Sequence, residues 1–249
     1  MIKRRGAAIL KGAVHGPAMT YGLITACCLL FVIGPVSGLN TGYGTGDAIL
    51  SAQSDYFTRW GVIPKELMAG RPHTLLTPLT ALFVHGSWLH LLGNMLFLYV
   101  FGAMAEEGMG RLEFALFYLA AGYLALLGFA AAHADSDQTL VGASGAISAV
   151  LGAFLCLFPR ARVTSIFPFL LFLPLRFPAW MVLVFWFALQ WLAIRSAPPG
   201  PGVAYLAHLI GFGLGFLYAW ARFRGADRVK RRKPVKPAGP AATEGESQP

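Results

Sequence analysis

Three short stretches hold the polar side chains that could do chemistry in an otherwise apolar chain. They are Val141-Gly-Ala-Ser-Gly-Ala-Ile-Ser148, Ala207-His-Leu-Ile-Gly-Phe-Gly-Leu-Gly215 and His85-Gly-Ser-Trp-Leu-His-Leu-Leu-Gly-Asn94. Serine and histidine together suit covalent acyl transfer, because a hydroxyl becomes a nucleophile when an imidazole takes its proton. Ser144 lies between Gly142 and Gly145, which leave room for a substrate backbone. A place in the first turn of a helix would add unpaired N–H groups and a favourable dipole for an oxyanion. The plainer reading is that small residues here only let membrane helices pack closely. His208 and Gly211 are three apart and Gly211 and Gly215 four apart, which makes a glycine stripe with the imidazole at its end. A structural hydrogen-bond donor is the plainer reading of that histidine. His90 and Asn94 lie at i and i+4, so they point the same way and offer donors for charge developing on a carbonyl oxygen. Metal binding fits less well: the spacing is not His-Glu-x-x-His, and no carboxylate lies nearby in the span.

The elements that must position these groups follow from composition. Of 249 residues, 56% are hydrophobic and only 12% charged, where soluble domains carry about a quarter charged. A soluble chain of this length buries only about three-quarters of its surface, which would leave too much apolar area in water. A bilayer is the better solvent. Charge-free stretches of about 20 residues, enough to cross roughly 30 Å as a helix, lie near 18–39, 86–105, 114–132, 139–158, 177–194 and 203–221. The predicted fold is an all-α membrane protein, a bundle of six transmembrane helices with a long outer loop between helices 1 and 2. That loop carries Tyr43, Tyr56, Phe57, Trp60 and Pro64, which suit the membrane interface. Residues 166–175 are apolar but broken by Pro168 and Pro174, and read either as an interfacial or re-entrant piece or as an extension of the fifth helix past a kink near Arg176.

Charge gives the orientation. Lys3, Arg4, Arg5 and Lys11 precede the first span, and the last is followed by eight more basic residues from Arg222 to Lys236. Arg111, Arg160 and Arg162 fall in connections on that side, whereas Arg59, Lys65, Arg71 and Arg195 fall on the other. The positive-inside rule then predicts an integral multi-pass protein with both termini in the cytoplasm. The expected divisions are a basic cytoplasmic N-terminus (1–17), a membrane domain (18–222) and a basic, disordered tail (223–249) whose charge favours anionic lipid. The net charge of +9 sits at the ends, so nucleic acid is not an expected partner. Cys27, Cys28 and Cys156 match neither a disulfide framework nor a zinc pattern, and no cofactor is expected.

In this orientation the second, fourth and sixth spans share the same outer end, and Ser144, His208, His90 and Asn94 each lie within about two turns of it. Three separate spans thus bring a nucleophile, a base and oxyanion donors to one layer of the membrane. The Asp and Glu residues number eleven and read as loop or tail residues, so a Ser144–His208 dyad without an acidic partner is expected.

With these residues in hand, the sequence resembles the rhomboid family over about residues 60 to 220. Gly142-Ala-Ser144-Gly145 matches the family's Gly-x-Ser-Gly. Ala207-His208 with Gly211 and Gly215 matches its Ala-His followed by glycines at three and seven, and His90 with Asn94 its His-x-x-x-Asn. Leu75-Leu-Thr77, Phe83-Val-His85, Pro178-Ala-Trp180 and Phe185-Trp-Phe-Ala-Leu-Gln190 are similar as well. The resemblance implies an intramembrane serine endopeptidase of a bacterial inner membrane that cuts membrane-spanning protein substrates near the outer face. It also implies a gate formed by the fifth helix and the loop Ser196-Ala-Pro-Pro-Gly-Pro-Gly202. The chain departs from the family at His73-Thr74, where members often carry Trp-Arg. It departs again at Ser148, where some carry a tyrosine beneath the histidine, and a looser hold on His208 is the expected consequence. The alternatives are a non-catalytic rhomboid-like protein that binds membrane clients and, more remotely, a transporter.

Overall fold

The computed structural model describes residues 16–167, 173–196 and 204–232. An apolar helix forms in each of the six expected stretches: α1 (Ala18–Ile33), α4 (Trp88–Met109), α5 (Arg111–Ala132), α6 (Ser144–Leu157), α7 (Ala179–Ser196) and α8 (Tyr205–Arg232). Between α1 and α4 lie the smaller helices α2 (Asp47–Trp60) and α3 (Pro64–Met68), a single helical turn at Thr77–Thr80 and short 3-10 turns. Four of the apolar helices, α4, α5, α7 and the part of α8 up to Phe223, are long and apolar enough to cross a bilayer, while α1 and α6 are shorter. The chain is an integral membrane protein built mainly of helices.

The short α6 is the axis of the bundle. Every residue from Gly145 to Phe154 is buried, so a 14-residue helix that rises only about 21 Å does not have to face lipid along its length. Its alanines and glycines allow this. A methyl group on Gly211 would run into the Gly145 carbonyl oxygen, one on Gly215 into that of Ala149, and one on Gly152 into that of Phe212. The glycine stripe of α8 therefore lies directly on the backbone of α6, the close approach that small residues permit in membranes. Gly122 of α5 meets Ala146 and Leu82 in the same way from another side, with 2.8 Å left for a Cβ.

Polar ties fix the other helices. Glu106, only 2% exposed in α4, accepts hydrogen bonds from Met19 N, Thr20 N and Thr20 Oγ1 at 3.1, 2.7 and 2.8 Å. The carboxylate caps α1 from a neighbouring helix, satisfying N–H groups that the N-cap residue Pro17 does not cover. Sequence had placed Glu106 among loop residues; it lies inside α4, just after a π turn at Leu98–Gly102. Tyr218 donates to Glu113 at 2.6 Å and Arg222 pairs with the same carboxylate at 3.2 Å, which ties α8 to α5.

The segment ahead of α4 is also anchored. Val62 pairs with Leu140 just before the Ser144 motif, and Lys65 reaches Asp137 at 3.0 Å. Thr74, at one of the positions where the chain departs from the family pattern, is buried and donates through Oγ1 to the Arg71 and Glu66 carbonyls.

Two expectations need correction. Residues 162–167 and 173–178 do not extend α7 past a kink. Strands β1 (Arg162–Phe167) and β2 (Leu173–Pro178) pair antiparallel with Ile166 opposite Pro174, so the fold is not purely α. Proline denies the helix, whereas a two-stranded ribbon accepts it because each strand has a free edge. At the other end, α8 stays helical to Arg232 instead of ending near 222. The loop 197–203 and the terminal residues 1–15 and 233–249 lie outside the described residues.

Candidate active site

Ser144 opens α6, and the N–H groups of that first turn have no partner within the helix. The chain reaches it through Gly142, whose φ of 122° is open to glycine but strained for other residues. Gly142 is held by its own N–H, which donates to the Ala81 carbonyl at 2.9 Å. His208 lies in the first turn of α8 with 8% of its surface exposed. Its Nε2 is 2.8 Å from Ser144 Oγ. The two helices that carry the pair pack backbone against backbone, so the distance is set by the glycine stripe described above.

His90 and Asn94 flank this pair from α4. Ser87 caps that helix, accepting from His90 N at 3.1 Å. The Gly86 N–H donates to His90 Nδ1 at 3.4 Å, which leaves the proton on Nε2 and makes that atom a donor. A Cβ on Gly142 would lie 2.7 Å from His90 Nε2 and 3.7 Å from Asn94 Nδ2. Both side chains thus converge on the backbone just before Ser144. Asn94 Nδ2 is buried and makes no hydrogen bond to any described residue. A buried donor without an acceptor is costly in a folded protein, and this one borders the pocket that contains Ser144. The pocket, about 270 Å³, is lined by Ser144, His208, His90, Asn94, Trp186 and Gln190 among others.

All five residues singled out from sequence (Ser144, His208, His90, Asn94 and Gly142) meet here. Others had not been singled out. Gln190 of α7 places Oε1 2.8 Å from His208 Nδ1. The Trp186 ring lies 6.1 Å from that of His208, tilted by 32°, and Tyr205 presents an edge at 6.3 Å. Ser148 does not reach the histidine, because its hydroxyl donates to the Ser144 carbonyl at 2.6 Å. The expected looseness of His208 is therefore not found: α7 supplies a polar partner and an aromatic neighbour. The signal in sequence was a lone polar residue within an apolar helix, Gln190, since such groups are costly in a membrane and need a reason. His85 is buried at the back of the site, its ring edge-on to His90 at 5.3 Å.

A serine at a helix N-terminus, an imidazole in hydrogen-bond contact with it and an unpaired amide beside it, all within a membrane bundle, define a class of intramembrane site suited to acyl transfer. The family follows from comparison: the Rhomboid domain matches residues 72–225, and the chain belongs to the rhomboid family. It is 33% identical over 156 residues to Rhomboid protein 1, mitochondrial, of Saccharomyces cerevisiae, covering 61% of this chain and 43% of that protein. It is also 31% identical over 77 residues to RHOMBOID-like protein 5 of Arabidopsis thaliana, covering 31% of this chain and 25% of the relative. The chain thus matches less than half the length of either relative.

Proposed function

We propose that the chain is a serine endopeptidase that hydrolyses peptide bonds in or next to the transmembrane segments of other membrane proteins. The observation that carries this reading is the 2.8 Å contact between His208 Nε2 and Ser144 Oγ, with the unpaired amide of Asn94 bordering the same pocket. Ser144 attacks the scissile carbonyl while His208 takes its proton. The tetrahedral oxyanion is held by the Ser144 N–H, Asn94 Nδ2 and His90 Nε2. His208 then returns the proton to the leaving amine, and water hydrolyses the acyl-enzyme by the same steps in reverse. The positive φ at Gly142 keeps a side chain out of the space where the substrate backbone must lie.

In this reading all six apolar helices cross the membrane, α6 within a jacket formed by the others, and both termini face the cytoplasm of a bacterial inner membrane. The excess of Lys and Arg at the ends supports the side. One relative is mitochondrial by name. The basic tail lies against anionic lipid.

Labelling of the detergent-purified protein by a fluorophosphonate, compared with Ser144→Ala, tests the chemistry. Labelling of the wild type that Ser144→Ala abolishes is expected, with cleavage of a transmembrane substrate abolished by Ser144→Ala and by His208→Ala. A folded wild type that neither labels nor cleaves in lipid would instead favour a protein that binds membrane clients without cutting them.

A further inference from the structure

Most of the polar groups in the site have a task in the chemistry above, but Gln190 does not. It is a polar side chain on α7, the least buried of the four long apolar helices. Only 11% of the apolar window of α7 lies inside the protein, against 33–44% for the other three long helices, and its described buried residues are Ala179 and Leu183. An amide on such a helix could turn to water or lipid headgroups. Here it faces inward, and its Oε1 lies 2.8 Å from His208 Nδ1.

The two ring contacts of His208 determine each other. If Nε2 is to receive the proton of Ser144 Oγ, the neutral ring must carry its own proton on Nδ1. A carbonyl oxygen at Nδ1 accepts from that N–H and disfavours the other tautomer, in which Nδ1 would be a bare acceptor. Among the described residues no carboxylate occupies this place: the titratable groups facing the pocket from the surrounding helices are His90 on α4 and Tyr205 on α8 itself. We propose that Gln190 is the positioning residue of a Ser144–His208–Gln190 relay. Its Oε1 selects the Nδ1–H tautomer of His208, fixes the ring plane, and strengthens its hold when the imidazolium forms. This assignment rests on the protease reading given above.

An amide contributes a dipole where a triad acid contributes a charge, so its effect is smaller than that of a carboxylate but in the same direction. It also makes the relay depend on the position of α7. An outward displacement of that helix removes the acceptor from His208, and the base regains it when α7 returns.

The test uses the full-length protein in lipid, with a transmembrane substrate, and compares wild type, Gln190→Met and Gln190→Glu. Methionine keeps the length and bulk but has no strong acceptor, and glutamate restores an acceptor and adds charge. Gln190→Met should lower kcat about 10- to 100-fold, the worth of a hydrogen bond that strengthens when its donor becomes charged, with KM within about twofold. Its acidic limb in the profile of kcat/KM against pH should move to lower pH. Gln190→Glu should recover part of the rate and move that limb above its wild-type position. Wild-type kcat and an unmoved limb in Gln190→Met would overturn the relay while leaving the protease reading intact. Loss of activity in both variants with the limb unmoved, or with only KM and folded yield changed, would show a packing role and overturn it equally. If Gln190→Met does not fold, the direction of the limb shift in Gln190→Glu decides alone. A wild type without turnover would overturn the protease reading and the relay with it.

Discussion

Asn94 places a buried amide nitrogen beside Gly142 and Ser144 with no acceptor among the described residues. An interior donor left unpaired costs about 1–3 kcal/mol of stability, and a protein that folds only for stability would have no use for it. Under the proposed reaction the acceptor arrives with the substrate and is strongest when the carbonyl has become an oxyanion. Asn94→Ala should therefore lower kcat about 100-fold, with little change in KM and with melting temperature in detergent unchanged or raised. A large rise in KM with kcat intact would mean that the amide binds the ground state instead. Gly142→Ala should be worse on both counts. It forces an alanine to a φ of 122° and drives its Cβ into the His90 ring, so a lower melting temperature is expected together with lost turnover.

At the scale of elements, the α6–α8 contact sets the Ser144–His208 distance, and glycine sets the contact. Gly215 is about two turns from His208, and a methyl there would run into the Ala149 carbonyl. Gly215→Val should separate the helices and destabilise the fold by about 1–3 kcal/mol or more, read as a fall in melting temperature. It should also slow fluorophosphonate labelling of Ser144, although position 215 is remote from the pocket. A variant that melts low but labels at the wild-type rate would show that the pair is held by something other than this packing. Glu106→Gln probes a different tie. It leaves an acceptor for Thr20 but takes away the charge at the start of α1, so the loss should be confined to stability.

These elements also show where sequence was informative. Glycines at fixed intervals and six apolar stretches are local signals, and the structure has a helix at each stretch. The pairing of 162–167 with 173–178 was missed because apolar runs broken by proline read alike as kinked helix or strand when considered by length and hydropathy alone. Gln190 was passed over for another reason. Its importance lies in a contact with His208, 18 residues further along, and no spacing rule links residues on two helices joined by a loop. Glu106 was misread in the same way, since its partners on α1 lie 86–87 residues earlier.

The whole molecule presents lipid with helices of unequal height. The 16 residues of α1 rise about 24 Å and the 22 of α5 about 33 Å, and both expose large apolar side chains, among them Leu29, Val32 and Ile33 on α1 and Leu112, Leu116 and Leu124 on α5. A bilayer with a hydrocarbon layer of roughly 30 Å matches α5 but stands above α1. Beyond Ile33 the chain turns through Pro35–Ser37 and runs on through the smaller helices, with Leu39, Leu50 and Trp60 exposed. On the α1 side, apolar surface thus continues beyond the end of the helix and can lie at the interface, where a thinned bilayer would meet it. Mismatch costs fractions of a kcal/mol per Å, enough to change stability across a series of lipids. Reconstituted in phosphatidylcholine vesicles of increasing chain length, the protein should be most stable and most active in bilayers somewhat thinner than 30 Å, with both properties falling as the chains lengthen. Because Glu106 fixes the start of α1, Glu106→Gln should steepen the fall in stability, as α1 is then freer to shift along its axis. Equal activity across the series, or a steady rise with thickness, would mean that α1 meets the bilayer by tilting and that its length does not set the preferred membrane.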